Sequence, residues 1–231
     1  MLPAAALPVP RKELFFELKS RLHAAPGATV VSLENLVPTA VEALDALLGG
    51  GLPKGALVTL EGPASSGRWS IVASLLADVT KVALGAIIDD GELYPPTLEE
   101  AGVRLDRLLV VPAKTPTAIA RAVDALLRSR VARVIVMGGT ALRAPIWSRL
   151  ANLASRMGVV LIVITMRAAI EVSAVASVRI ACAFQRVLLR GTRGLWCHFS
   201  GFELRAHLCK QKLPIMGRGT TSNHVVVRAY S

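Results

Sequence analysis

The 231-residue sequence has no stretch long and apolar enough to cross a membrane; its longest apolar run, Met157 to Met166, has the length of a strand. Its first residues, MLPAAALPVPRK, have neither the basic start nor the continuous apolar stretch of a secretion signal. Cysteine is scarce: Cys182, Cys197 and Cys209 make an odd count without a C-x-x-C, which fits a reduced, cytoplasmic setting. No internal repeat is visible. Acidic residues are nearly missing from the last third. From Arg167 onward eight Arg and two Lys face only Glu171 and Glu203, a net +8 out of a total of +11. That excess suits nucleic acid or an acidic protein face as partner, and equally the solubility of a basic protein.

Hydrophobic residues make up 53% of the chain, which permits a sizeable core and argues against global disorder. Residues 1–10 are Pro-rich. In RKELFFELKSRLHAAPG, Leu14, Phe15, Leu18 and Leu22 fall on one helical face, and Pro26-Gly27 ends the helix. A strand ATVVSL follows. Beyond it the spacing predicts strands at 56–61, 82–91, 107–113, 133–139 and 159–167. Helices are predicted at 70–81, 97–101, 117–130 and 145–158. The strands are continuous apolar runs, and they alternate with helices. That combination indicates an α/β fold: a mostly parallel sheet with helices on both faces. Residues 177–212 alternate with period two and predict appended C-terminal antiparallel strands, with turns at Gly191, Gly194 and Gly201. The expected organisation is an N-terminal arm at 1–27, a core at 28–215 and a C-terminal tail at 216–231.

One short stretch carries most of the functional signal. EGPASSGRW, residues 61–69, has the rhythm of a phosphate-binding loop: Gly62, four residues, Gly67, then a basic residue. Gly62, Ser65, Ser66 and Gly67 would preserve a backbone cradle. Arg68 keeps a positive charge, but its planar fork does not substitute cleanly for an ammonium. Trp69 stands where a Ser or Thr hydroxyl would hold Mg²⁺.

The surroundings add a family. LDALLGGGLPKGALVTLEGPASSGRW resembles the start of the RecA recombinase core, and AIIDDGELYPPTLEEAGVRLDRLLVV resembles its next segment. ASVR at 176–179 and ELRAHLCKQK at 203–212 resemble the last core strands. The resemblance covers about Leu44 to Lys212, is specific in its first half, and has no counterpart of the RecA C-terminal domain. It implies a RecA-like core. It also implies that the family's catalytic Glu falls on Gly91, its metal-organising Asp on Met137 and its γ-phosphate-sensing Gln on Met166, with its Lys and Thr at Arg68 and Trp69. Five replacements at separate places argue for a pseudo-ATPase without cofactor, in which Gly62, Ser65, Ser66, Gly67 and Arg68 form a vestigial nucleotide loop. The connections MGGTALRAPIW and MRAAIEVSA are compact, which argues against a RecA-like filament on DNA.

Among RecA-like proteins without an ATPase site, the chain resembles the ImuA group, which includes SulA-like relatives. That resemblance implies a non-catalytic adaptor in the DNA damage (SOS) response. Such an adaptor would modulate RecA and help assemble an error-prone translesion polymerase complex. The implied partners are RecA, a Y-family polymerase-like protein and an error-prone replicative-type polymerase. A divergent ATPase using Glu92 and Arg68, and a SulA-like inhibitor of cell division, are the alternatives.

Other residues carry weaker signals. Arg186, Arg190, Arg193 and Arg205 are candidates for contacting single-stranded DNA, or for a protein-docking face. His207 and Cys209 share a strand face, but Cys197 and His198 point oppositely, so ordinary strand residues are expected rather than zinc. Asp89, Asp90 and Glu92 read as a solvated turn, and Trp69 and Trp147 as core residues. Leu14, Phe15, Phe16, Leu18 and Leu22 are candidates for docking the N-terminal helix on RecA or on a second copy, since Phe15 and Phe16 point about 100° apart on a helix. Single substitutions Phe15→Asp, Phe16→Asp and Leu18→Asp test this. At least one is expected to abolish RecA pulldown or self-association while the melting temperature stays near wild type. Loss of association only together with unfolding would make the helix part of the core.

Overall fold

The computed structural model describes residues 33–91, 93–192, 196–212 and 224–229. The N-terminal helix and its candidate docking residues, together with Glu92, Arg193 and Gly194, lie outside them.

The first elements form a small entry module. Strand β1 (Leu36–Val37) pairs antiparallel with β2 (Leu52–Pro53), and helix α1 (Glu42–Leu48) lies between them. Thr39 fixes the start of this helix: its N–H and hydroxyl both donate to Asp45 Oδ1, at 2.8 and 2.7 Å. The chain then alternates as the spacing predicts: β3 (Leu57–Glu61), α2 (Arg68–Val82), β4 (Leu84–Asp89), α3 (Pro95–Glu100), β5 (Leu108–Pro112), α4 (Pro116–Ser129), β6 (Ala132–Gly138), α5 (Ala144–Met157), β7 (Val160–Thr165) and a short α6 (Ile170–Val175). Two long strands follow, β8 (Val178–Thr192) and β9 (Trp196–Gln211), and then β10 (His224–Ala229).

Eight strands form one sheet in the order β10-β9-β8-β3-β7-β6-β4-β5. The pairs from β8 through β3, β7, β6 and β4 to β5 are parallel, whereas β8–β9 and β9–β10 are antiparallel. Side-chain alternation divides the core into two layers. On one face Val58, Leu60, Ile87, Val134, Val136 and Ile162 pack with Leu44 and Leu48 of α1 and with Ile71, Val72, Leu75 and Leu76 of α2. On the other, Leu57, Ile88, Ile135, Met137, Leu161 and Val163 pack with Val123 and Leu127 of α4 and Trp147 and Leu150 of α5. Four of the predicted apolar strands, β3, β4, β6 and β7, are therefore central strands covered on both faces, whereas β5 is the sheet's edge strand, with Leu109 and Val110 exposed.

The C-terminal strands differ from expectation. Gly191 and Gly201 are not turns. Both lie inside strands, paired with Cys197 and Leu188 in one long hairpin that reverses between Thr192 and Trp196. Gly201 has φ 147° and adjoins a register shift between Leu188 and Leu189, the usual place for an in-strand glycine. Residues 224–229, within the expected tail, add the edge strand β10 along residues 202–207.

One ion pair ties β3 to its neighbours. Glu61, 7% exposed at the end of β3, accepts from Arg179 of β8 through both carboxylate oxygens at 2.8 and 3.0 Å. It also accepts from Thr59 Oγ1 at 2.9 Å and from the Ala168 N–H after β7 at 3.3 Å. Burial pushes its carboxyl up, but these donors outweigh burial and hold it below the ordinary glutamate value. The pair's contribution is therefore present above the ordinary glutamate range and is lost as pH falls through the depressed folded-state value. Arg179→Met leaves a buried carboxylate without its cation. We expect a loss of about 3 kcal/mol at neutral pH. Denaturant melts at stepped pH should show the gap to wild type shrinking as pH falls through the ordinary glutamate range, where the variant's carboxyl protonates first, and levelling off below the depressed wild-type value, where Glu61 is neutral in both.

Candidate functional site

The site forms where β3 ends and α2 begins. Gly62 has φ 156°, and a Cβ there would lie 2.3 Å from the Cys182 carbonyl oxygen and 2.6 Å from Ser66 Oγ. Gly67 has φ 82°, and a Cβ there would lie 2.3 Å from Leu204 Cδ2. Gly62 is thus demanded by the β8 backbone packing across the loop, and Gly67 by its left-handed φ with the Leu204 side chain of β9 beside it, whatever the loop binds. Ser65 is left-handed as well, at φ 60°. Ser66 is buried, and its hydroxyl has no hydrogen-bond partner among the described residues. Helix α2 starts from Gly67 with no side-chain cap, so its first N–H groups remain an electropositive turn.

Two depressions meet at this turn. A cleft of about 960 Å³ opens over the C-terminal ends of the parallel strands, where open α/β sheets place their ligands. Arg68, Trp69, Asp89, Asp90, Lys114 and Arg167 contribute to its wall. A smaller groove of about 360 Å³ lies between the loop and the hairpin, lined by residues 65–70 with Phe184 and Phe202. Arg68 lines both. Burial pulls its guanidinium below the ordinary arginine value, and no salt bridge to it is found among the described residues.

Trp69 and Trp147 separate. Trp147 is 1% exposed and belongs to the core, as expected. Trp69 is 44% exposed and lines both depressions, so the expectation of a core residue is corrected. Its position in the first turn of α2 aims it outward, where the family's hydroxyl would sit.

The assignment of the metal-organising position to Met137 is also corrected. Met137 is fully buried in the layer of α4 and α5, away from α2 and the loop. Alternation puts the next residue, Gly138, on the loop side; it is exposed, lines the cleft and has open space where a Cβ would stand. Gly91 has φ 107°, a conformation that disfavours any side chain. Neither Gly91 nor Gly138 carries a carboxylate, and Trp69 supplies no oxygen. The backbone cradle fits an anion, whereas the residues at these positions do not fit a bound Mg²⁺. Asp89 Oδ1 accepts from the Leu93 N–H at 3.1 Å, which closes a local turn as expected for this acidic pair.

Comparison with known proteins gives this geometry a family. The family described as the RecA N-terminal domain matches residues 25–172. The chain belongs to this family. Among curated relatives, Protein RecA of Gloeothece citriformis is 34% identical over 111 residues, 47% of this chain and 31% of that protein. Protein RecA of Methylococcus capsulatus is 37% identical over 114 residues, 48% of this chain and 33% of that protein. The chain thus spans about a third of the length of the relatives it matches. A crystal structure of the RadB recombinase superposes with a TM-score of 0.59 at 16% identity, covering 84% of this chain and 96% of that one, which shows the shared fold.

The basic residues behave unequally. Arg179 is engaged by Glu61. Arg186 forms a bidentate pair with Glu203, Nε to Oε2 at 2.7 Å and Nη2 to Oε1 at 3.2 Å. Turning over the Gln185 amide lets its oxygen accept from Arg205 Nη2 and Nε at 2.9 and 3.0 Å. Arg190 is exposed. Register places Arg186, Arg190 and Arg205 on one face of the hairpin, so three of the four candidates do share a surface, with Arg186 neutralised in place. His207 Nδ1 lies 3.4 Å from Cys209 Sγ, on one strand face as expected. No group of three metal-ligating side chains occurs among the described residues. Cys182 is buried, which pushes its thiol up to about 12 and leaves it unreactive.

Sequence reasoning missed the opposite face of the hairpin, where Phe184, Val187, Leu189 and Phe199 stand exposed. The period-two pattern carries them, but only the length of β3 shows that nothing among the described residues covers them. The glycines of the cleft yield a direct comparison. Gly91→Ala is expected to cost about 1–2 kcal/mol because of its positive φ. Gly138→Asp, in open space, should stay within about 0.5 kcal/mol of wild type. Thermal melts of the two variants read the difference.

Proposed function

We propose that this RecA-family chain is a non-catalytic adaptor: a RecA-like core kept for its shape and surfaces, with its phosphate chemistry gone. The observation that carries the reading is Trp69. A half-exposed indole occupies the first-turn position from which this family's hydroxyl would hold Mg²⁺. Glycines at 91 and 138 support it, since the cleft then lacks both a water-orienting and a metal-organising carboxylate. The loop's remaining role is mechanical. Gly62 and Gly67 let β8 and β9 close over it, and the charge of Arg68 stays at the surface of the site.

In the finer reading, motivated by the resemblance to the ImuA group, the adaptor serves the DNA damage response. It modulates RecA and brings together a Y-family polymerase-like protein and an error-prone replicative-type polymerase. The paired arginines Arg179 and Arg186 weaken a purely DNA-binding account of the basic third, because their charge is answered within the fold.

The test uses purified full-length chain. ATP turnover is expected at background, with or without single-stranded DNA, and purified RecA is expected to be retained on the immobilised chain. Mg²⁺-dependent hydrolysis abolished by Glu92→Gln would overturn the non-catalytic reading. Absence of any complex with RecA or with the polymerase pair would overturn the finer one.

A further inference from the structure

Strand β8 pairs with β3 only over residues 178–181, yet continues to Thr192. At about 3.3 Å per residue, the β8–β9 ribbon runs roughly 35 Å past the end of β3. Strand β10 flanks β9 over residues 202–207; beyond it the ribbon is two-stranded, and such ribbons are marginal in water without a covered face. The near part of this one is covered: Phe202 and Leu204 pack against Gly67 and the core layer of α2. The same face then continues outward uncovered by any described residue. Register pairs Phe184 with Leu204, Val187 with Phe202, and Leu189 with Phe199. Phe184, Val187, Leu189 and Phe199 are 49%, 51%, 63% and 59% exposed. With Trp69 they present on the order of 500 Å² of apolar surface, the size of the largest patch on a typical monomer, which is often a functional one.

Charge decides what fits this face. Arg68 lies at the inner end of the groove, partly buried and without a salt bridge among the described residues. The chain as a whole carries +11, so a second copy would bring like charge to like. The chain's own amphipathic segment is unsuited for the same reason, since Arg11, Lys12, Lys19 and Arg21 outnumber Glu13 and Glu17. A nucleic acid would find its phosphate partners on the opposite, arginine-bearing face, whereas among the described residues this one sets only Arg68 beside its apolar side chains. The complementary occupant has apolar anchors and carboxylates.

We infer that the apolar face of the β8–β9 ribbon docks an acidic amphipathic segment of another protein, its apolar side chains on Val187, Leu189 and Phe199 and a carboxylate on Arg68. The inference deepens the adaptor reading by naming a surface and the chemistry of its partner. It is read by binding alone, so its failure is separable from the outcome of the turnover assay.

The probe is a labelled synthetic helix-forming peptide with Leu and Phe along one face and Glu elsewhere, titrated with the full-length chain by fluorescence anisotropy. Its controls are a scrambled peptide of the same composition and a version with Lys for Glu. Saturable binding of the acidic amphipathic peptide is expected, with both controls weaker. Leu189→Ser and Phe199→Ser should each weaken it about fivefold or more with unchanged melting temperature. Arg68→Ala should weaken it and flatten its salt dependence. Val82→Ser, at an exposed apolar position on α2, should leave it unchanged. No binding of the acidic peptide, or equal binding of the scrambled one, overturns the inference. So does single-stranded DNA whose binding depends on Leu189, which makes the face a base-stacking platform. A dimer in sedimentation that Leu189→Ser dissolves assigns the face to a second copy and likewise overturns it.

Discussion

The carboxylate of Glu61 holds the site together. It sits where β3 gives way to the glycine loop, and it takes donors from β3 itself, from the turn after β7 and from Arg179 on β8. A buried carboxylate is tolerable only when so answered. Once it is answered, β8 is pinned beside β3 in fixed register, and the long hairpin must cross directly over the loop. The close approaches at Gly62 and Gly67 follow from that placement. The loop's glycines are therefore explained by packing as fully as by any ligand.

This matters for reading a degenerate phosphate loop. Retained glycines are commonly taken as a sign of retained binding. Here the same residues are required because Cys182 O and Leu204 Cδ2 occupy the space of their side chains. The positions free of packing demands have diverged: Trp69 stands at the mouth of the cleft, and Gly138 faces open space. Positions held by packing can thus keep such a motif legible while unconstrained positions are free to vary. What remains available to selection is surface, and the uncovered ribbon is the largest feature that the parallel core does not account for.

Much of the architecture was readable in the sequence because it rests on local rules. Continuous apolar runs such as those at 134–137 and 159–165 could only be doubly covered strands, and Leu126 and Leu127 with Val123 mark a helix face. The same locality explains the errors. Gly191 and Gly201 look like turn residues in a string, whereas bulges depend on a partner strand that the string does not display. Met137 and Gly138 differ by one position, and one position reverses the face of a strand. Trp69 could be placed in the loop's pattern but not judged buried or exposed, since that depends on how far the hairpin reaches over α2.

The sequence by itself determined the α/β class and the parallel core, and it places Arg68, Trp69 and Gly91 where the RecA resemblance expects Lys, Thr and Glu, because side-chain type and spacing are one-dimensional facts. Only the tertiary structure decided which arginines keep a free charge, which glycine borders the cleft and which hydrophobic residues are left in water. Each of those depends on a partner far along the chain: Glu61 with Arg179, Gly67 with Leu204, and the end of β3 with the unsupported length of β8.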